Sequence, residues 1–241
     1  MPFRAFGRGL LLIGVETFFF ILFAGFMMTH DTAKIVAWML FFIGLGVLFK
    51  RWDQARLALT RLFQEQKIVA SLWFGVLLLT LPFLFQSSPY LIHICVMAGL
   101  FAILALGLNF QLGSTNVVNF ATAASYGIGA YASALLAVHF QISFWLGLLI
   151  GGGLASLFGL LLGIPCMKTK DYYLSLVTIA FGLIIYILLI NFTWTGGPNG
   201  IPNIPPPSLF GHSFKDPLRV FGYHLPFQSN YYYLILLLVG G

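Results

Sequence analysis

Seven long apolar runs, with the few charged residues confined to the gaps between them, constrain this 241-residue chain more than any other feature. Crossing a hydrocarbon core of ~30 Å takes roughly 20 apolar residues at the ~1.5 Å rise of a helix. The runs are Leu10–Met28, Ile35–Phe49, Ile68–Phe85, Leu91–Phe110, Val117–Val138, Phe144–Ile164 and Leu174–Phe192. Charged residues make up 7% of the chain against about 25% in soluble domains, too few to cover a water-facing surface. The expected fold is therefore all-α, a polytopic membrane helix bundle of seven full spans. An eighth run starts at Tyr231 and stops at Gly241, too short to cross, so the sequence reads as C-terminally truncated.

The first run follows Arg4 and Arg8, as a secretory signal would, but it is long for such a core. No small-x-small cleavage site follows it, so it reads as a retained helix. The net charge of +6 invites a nucleic-acid reading that the distribution opposes. With a cytoplasmic N-terminus, seven spans place Arg4, Arg8, Lys50, Arg51, Arg56, Arg61, Lys67, Lys168 and Lys170 inside. Only Lys34, Lys215 and Arg219 fall outside. That is the positive-inside bias, and the basic residues serve topology and anionic-lipid contact.

Residues 1–67 read as an N-terminal appendage of two membrane helices and a basic cytoplasmic linker, and residues 68–241 as a core. In the linker, Trp52, Leu57, Leu59, Leu62 and Phe63 alternate with charges, the pattern of a helix lying along the membrane surface or of a solvated connector. In the core, Gly147-x-x-x-Gly151 and Gly159-x-x-x-Gly163 let helix backbones approach closely, where packing drives association in lipid. The segment Gly107–Tyr131 concentrates uncharged polar residues: Asn109, Gln111, Ser114, Thr115, Asn116 and Asn119. Irregular polar backbone at membrane depth survives only in protein or beside a wet cavity. A broken helix near 109–125 on a transport path and a plain cytoplasmic loop at 111–116 both fit. Candidate path residues are Asn109, Gln111, Ser114, Asn116, Asn119, Ser125 and Tyr126. The glycine- and proline-rich stretch Thr195–Pro207 excludes a long helix and faces outside in this topology. Tyr231, Tyr232 and Tyr233 mark the outer interface.

Catalytic patterns are missing. The six acids form no pair within one span, and no histidine has a His, Asp or Glu partner at i+3 or i+4 within a span. Cys95 and Cys166 have neither metal nor disulfide spacing and read as packing residues. Gly127-Ile-Gly129-Ala-Tyr-Ala132 matches a loose dinucleotide pattern but sits in an apolar helix without a preceding strand. No phosphate-binding Gly-x-x-x-x-Gly-Lys-Ser/Thr loop occurs. No catalytic residue and no cofactor is expected. Glu16 is the one acid well inside a span, so it is a cation or proton site or a structural hydrogen-bonding group.

One ordered set of motifs is more specific: Gly127-x-Gly-Ala-Tyr131, a lysine-bearing loop leading into Asp171-Tyr-x-x-x-x-x-Thr178, and Thr195-Gly-Gly-Pro-Asn-Gly200. In this order, over about half the chain, it resembles the membrane permeases of branched-chain amino acid ABC importers, in particular the M-type subunit. The resemblance implies a partner H-type permease, two cytoplasmic ATPase subunits and a periplasmic substrate-binding protein. The permease would supply a path and a coupling surface. It also implies a bacterial inner-membrane location. The binding protein would meet the outer loop at Gly196, Gly197, Pro198, Asn199 and Gly200, unless that turn is purely structural. The family's coupling helix falls beyond Gly241. Lys170 stands where the family usually has glycine, and Leu183 and Tyr186 stand where it often has Glu and Arg. A permease for urea or short amides shares the motif order and stays open as an alternative. So do a secondary transporter or channel and a non-transporting scaffold.

Overall fold

A computed structural model describes residues 2–29, 31–115, 121–166, 171–209, 211–220 and 222–240. Nine α-helices run through the described residues: α1 Pro2–Met27, α2 Thr32–Arg51, α3 Asp53–Glu65, α4 Lys67–Leu84, α5 Pro89–Thr115, α6 Thr122–Phe140, α7 Phe144–Cys166, α8 Asp171–Asn191 and α9 Gln228–Gly240. Six are long and apolar enough to cross a bilayer, and α8 with the turns that follow it makes up to seven. The chain is a polytopic helical membrane protein, as its apolar runs require. Large apolar side chains stand exposed on nearly every helix, and none of the described residues of α2 is buried. In water such a surface would aggregate; in a bilayer it is the solvated face. α9 has 13 residues, about 20 Å at the helical rise, less than a full crossing.

Two compact units divide the chain. One comprises Met1–Cys95 and Arg219–Leu225, the other Val96–Leu218 and Pro226–Gly241.

In the first unit, Asp31 caps α2 by accepting from the Ala33 amide at 3.1 Å, and Lys50 and Arg51 close its last turn, where cations suit the helix dipole. Two cross-links fix the course of α1. Arg8 pairs with Glu65 at the end of α3 at 2.6 Å, and the Trp73 indole donates to Thr17 at 2.9 Å. Partners on both sides advance together, from 8 to 17 and from 65 to 73, so α1 and α4 run parallel. This is the course that two alternating spans and a surface helix require. Trp38 stacks on Phe42 and fills the space beside Gly25, joining α2 to α1. The amphipathic linker is helical along α3, as its pattern predicts.

In the second unit α6, α7 and α8 share a core of Ala121, Ala124 and Leu162, with Phe158, Phe181 and Ile185 against it. The α6–α7 contact is glycine on glycine. A Cβ on Gly151 would lie 2.7 Å from the Gly129 carbonyl oxygen, and one on Gly147 would lie 3.2 Å from the Ser133 hydroxyl. Only hydrogen fits at Gly151. Gly99 plays the same part toward α9: a Cβ there would run into the Ile235 side chain.

Between α8 and α9 the chain folds into turns and two short hairpins. β1 (Ser208–Leu209) pairs antiparallel with β2 (His212–Ser213), and β3 (Leu218–Val220) and β4 (Tyr223–Leu225) form a second two-stranded sheet. The proline-rich composition excludes a long helix here, as expected, but gives no sign of the hairpins. The Asn230 carboxamide, at the start of α9, donates to the carbonyls of Phe214 at 3.2 Å and Asp216 at 2.8 Å, tying that helix to the preceding loop.

Candidate functional site

The candidate path residues lie on two consecutive helix ends. Asn109, Gln111 and Ser114 ride the last two turns of α5, and Ser125 and Tyr126 ride the first two turns of α6. Asn116 and Asn119 fall in 116–120, outside the described residues. At 100° per residue, Asn109 and Gln111 stand about 200° apart; the Ser114 side chain lies outside those described. The α5 residues therefore do not line a single strip. Asn109 and Tyr126 are exposed, and Gln111 and Ser125 half-buried. Of the interruption expected near 109–125, residues 116–120 lie outside the described residues; α5 is helical through Thr115 and α6 from Thr122.

A sharp break within the described residues comes instead after α8. The segments Ser175–Asn191 and Thr193–Asn199 are bent by 81°. The Thr195–Gly200 motif builds this corner from local chemistry. Two 3-10 turns, Thr193–Thr195 and Gly197–Asn199, follow the helix. Thr195 is fully buried, and its hydroxyl lies 2.7 Å from both the Leu189 and Phe192 carbonyls. Its single proton serves one carbonyl at a time, at a helix end where four carbonyls lack intrahelical partners. The Gly196 amide donates to Thr193 and the Gly197 amide to Phe192, each at 3.1 Å. Gly196, Gly197 and Gly200 have φ of 81°, 59° and 69°, a region open to glycine at little cost. A Cβ on Gly196 would run into the Gly200 carbonyl. Of the five residues expected to meet a binding protein, Pro198 and Asn199 are exposed, Gly196 and Gly200 half-buried and Gly197 buried. The glycines shape the corner, and the Pro–Asn pair is what it presents. Sequence reasoning missed Thr195 as the hydroxyl that caps α8. The signal was available: a threonine just before Gly-Gly at the end of an apolar run.

On the same unit, a cleft of about 560 Å³ opens between the α6–α7 turn and the proline-rich loop. Gln141 and Asn203 line it, and both have positive φ, 51° and 57°. Gln141 does so as the left-handed end of α6, with the Ile142 amide reaching back to Leu136 at 3.3 Å. The Trp145 indole donates to the Ser208 carbonyl at 2.9 Å across the same region. No group of three or more metal-ligating side chains occurs among the described residues.

The sequence profile of the family described as "Branched-chain amino acid transport system / permease component" matches residues 90–240, from the start of α5 to the end of α9. This chain belongs to that family. Among its relatives is the high-affinity branched-chain amino acid transport system permease protein LivM of Escherichia coli (strain K12). It is 34% identical over 213 residues, covering 83% of this chain and 50% of the relative. The LivM of Salmonella typhimurium (strain LT2) is 32% identical over the same coverage. The chain spans about half the length of the curated relatives it matches. No solved structure matches it. The matched region contains all the candidate residues on α5 and α6 and the corner at Thr195–Gly200. Membership of a permease family accounts for a bundle of apolar membrane-crossing helices.

Proposed function

We propose that the chain is the M-type permease subunit of an ATP-driven importer for branched-chain or related hydrophobic amino acids, and that it forms part of the translocation path. The single observation that carries this reading is the 34% identity to an amino acid permease over 83% of the chain. The subunit sits in a bacterial inner membrane with its N-terminus in the cytoplasm. The cationic gaps support that orientation, with nine of twelve basic residues on one side. Its partners are an H-type permease, two cytoplasmic ATPases and a periplasmic binding protein. Residues 1–67 form an appendage to the permease core at 68–241.

Within this reading the polar ends of α5 and α6 contribute Asn109, Gln111, Ser114, Asn116, Asn119, Ser125 and Tyr126 to the path. The corner at Gly196, Gly197, Pro198, Asn199 and Gly200 faces the binding protein. Uptake of leucine by vesicles holding the complete assembly should require both ATP and the binding protein. Uptake driven by an imposed ion gradient alone would select the secondary-transporter reading, and uptake of urea in place of leucine the amide reading. Asn119→Leu should lower leucine uptake several-fold with membrane insertion unchanged. Normal uptake by that variant removes Asn119 from the path.

A further inference from the structure

A second cavity, of about 950 Å³, lies wholly within the first unit, among α1, α3, α4 and the end of α2. That volume is at the upper end of the ~300–1,000 Å³ typical of small-molecule sites. Its wall is aromatic and aliphatic: Phe19, Phe20 and Phe23 of α1, Phe63 of α3, Phe74 and Leu78 of α4. Two charged side chains interrupt it, Glu16 from α1 and Arg56 from α3. Glu16 Oε2 is buried and makes no hydrogen bond. A carboxyl oxygen in an apolar wall is costly without a donor. Arg56 bonds Asp53 one turn away at 3.3 Å, which engages one arm of its guanidinium and leaves further N–H donors.

The chemistry of this wall selects an occupant. A long apolar lining calls for an acyl chain. One positive and one negative group call for a zwitterion carrying the opposite charges, an anionic phosphate for Arg56 and a cation for Glu16. The cation must also donate a proton to Oε2, which a primary ammonium does and a quaternary ammonium does not. Lysines and arginines cluster on and beside α3, at Lys50, Arg51, Arg56, Arg61 and Lys67, the level at which lipid phosphates sit. The Arg8–Glu65 pair marks the same level, and Glu16 lies two helical turns deeper along α1.

We propose that this cavity binds one phospholipid with a primary-amine head group. An acyl chain lies among the phenylalanines, the phosphate sits on Arg56 and the ammonium on Glu16. The site is independent of what the permease carries.

The test is native mass spectrometry of the full chain in nanodiscs containing equal parts phosphatidylethanolamine, phosphatidylcholine and phosphatidylglycerol. One phosphatidylethanolamine should remain bound per chain after activation strips the others. Glu16→Gln and Arg56→Gln should each weaken that retention roughly tenfold, the worth of one charge-assisted hydrogen bond. Ser71→Phe, which pushes a bulky ring into the cavity and leaves both charges in place, should weaken it. Lys34→Gln, on the far side of α2 from the linker, should change nothing. Circular dichroism separates loss of the lipid from loss of the fold. Equal retention of the three lipids, or unchanged retention in folded Glu16→Gln and Ser71→Phe, overturns the proposal. A co-purifying protein protecting the cavity in place of lipid overturns it as well.

Discussion

The two units hold their helices together by different means. In the first, side chains reach across: Arg8 to Glu65, Trp73 to Thr17, Phe26 edge-on to Phe42. In the second, backbones themselves meet where Gly129 lies against Gly151, and the Ile235 side chain seats directly on the bare backbone of Gly99. The lesson concerns the solvent. Lipid tails are as apolar as leucine, so burial of apolar surface does little to drive helices together in a bilayer. Association rests on close packing and on polar bonds. Polar cross-links work at a distance and leave room, and the first unit keeps a cavity among its helices. Glycine contacts demand contact, and they build a dense triad of α6, α7 and α8 around Ala121, Ala124 and Leu162.

Substitutions that separate the two modes should differ in size. The largest effect belongs to Gly196→Ala in the second unit. Its φ of 81° costs a residue with a Cβ about 1–2 kcal/mol, and the collision with the Gly200 carbonyl adds to that. Unfolding in SDS followed by circular dichroism should show a loss of about 3 kcal/mol, and binding-protein-dependent uptake should fall with it. A loss under about 1 kcal/mol would mean that the corner tolerates another geometry. Next comes Gly151→Leu, which forces α6 and α7 apart at the 2.7 Å approach. Overpacking of this kind costs about 1–3 kcal/mol, and Gly152→Leu, where no atom stands within 4 Å of the added Cβ, should cost little in the same assay. Equal losses at the two positions would break the claim that the second unit depends on this contact. The smallest effect is expected in the first unit. Thr17→Val removes the acceptor of the Trp73 indole and should cost about 0.6 kcal/mol, the mean for interhelical polar bonds in a membrane. The indole fluorescence of Trp73 should change more than the stability does. A loss as large as that at Gly151 would erase the distinction between the two units.

Much of the fold was legible in the residue order, and the reason is local. Apolar runs of crossing length, and the amphipathic pattern at 50–67, each specify a helix through neighbours three and four residues away. So does the glycine spacing at 147 and 151, which announces a close approach but does not name the partner. Gly129, which receives it, lies some twenty residues upstream in a motif that looked more like a family signature than a packing surface. The candidate path was legible only as a polar concentration. Helical geometry then separates Asn109 from Gln111 by half a turn. The corner at Thr195–Gly200 was visible as a helix stop, while the buried hydroxyl of Thr195 that completes it was not singled out.

Hydropathy, charge placement and ordered motifs set the solvent, the helices and the family, because they are properties of the chain that no packing alters. Packing alone settled which glycine meets which backbone, that α1 lies against α4, and that Glu16 shares an aromatic cavity with Arg56. Those facts depend on residues distant in sequence arriving at one place. A side chain's surroundings are set by its neighbours in space, and the order of residues along a helix leaves them open.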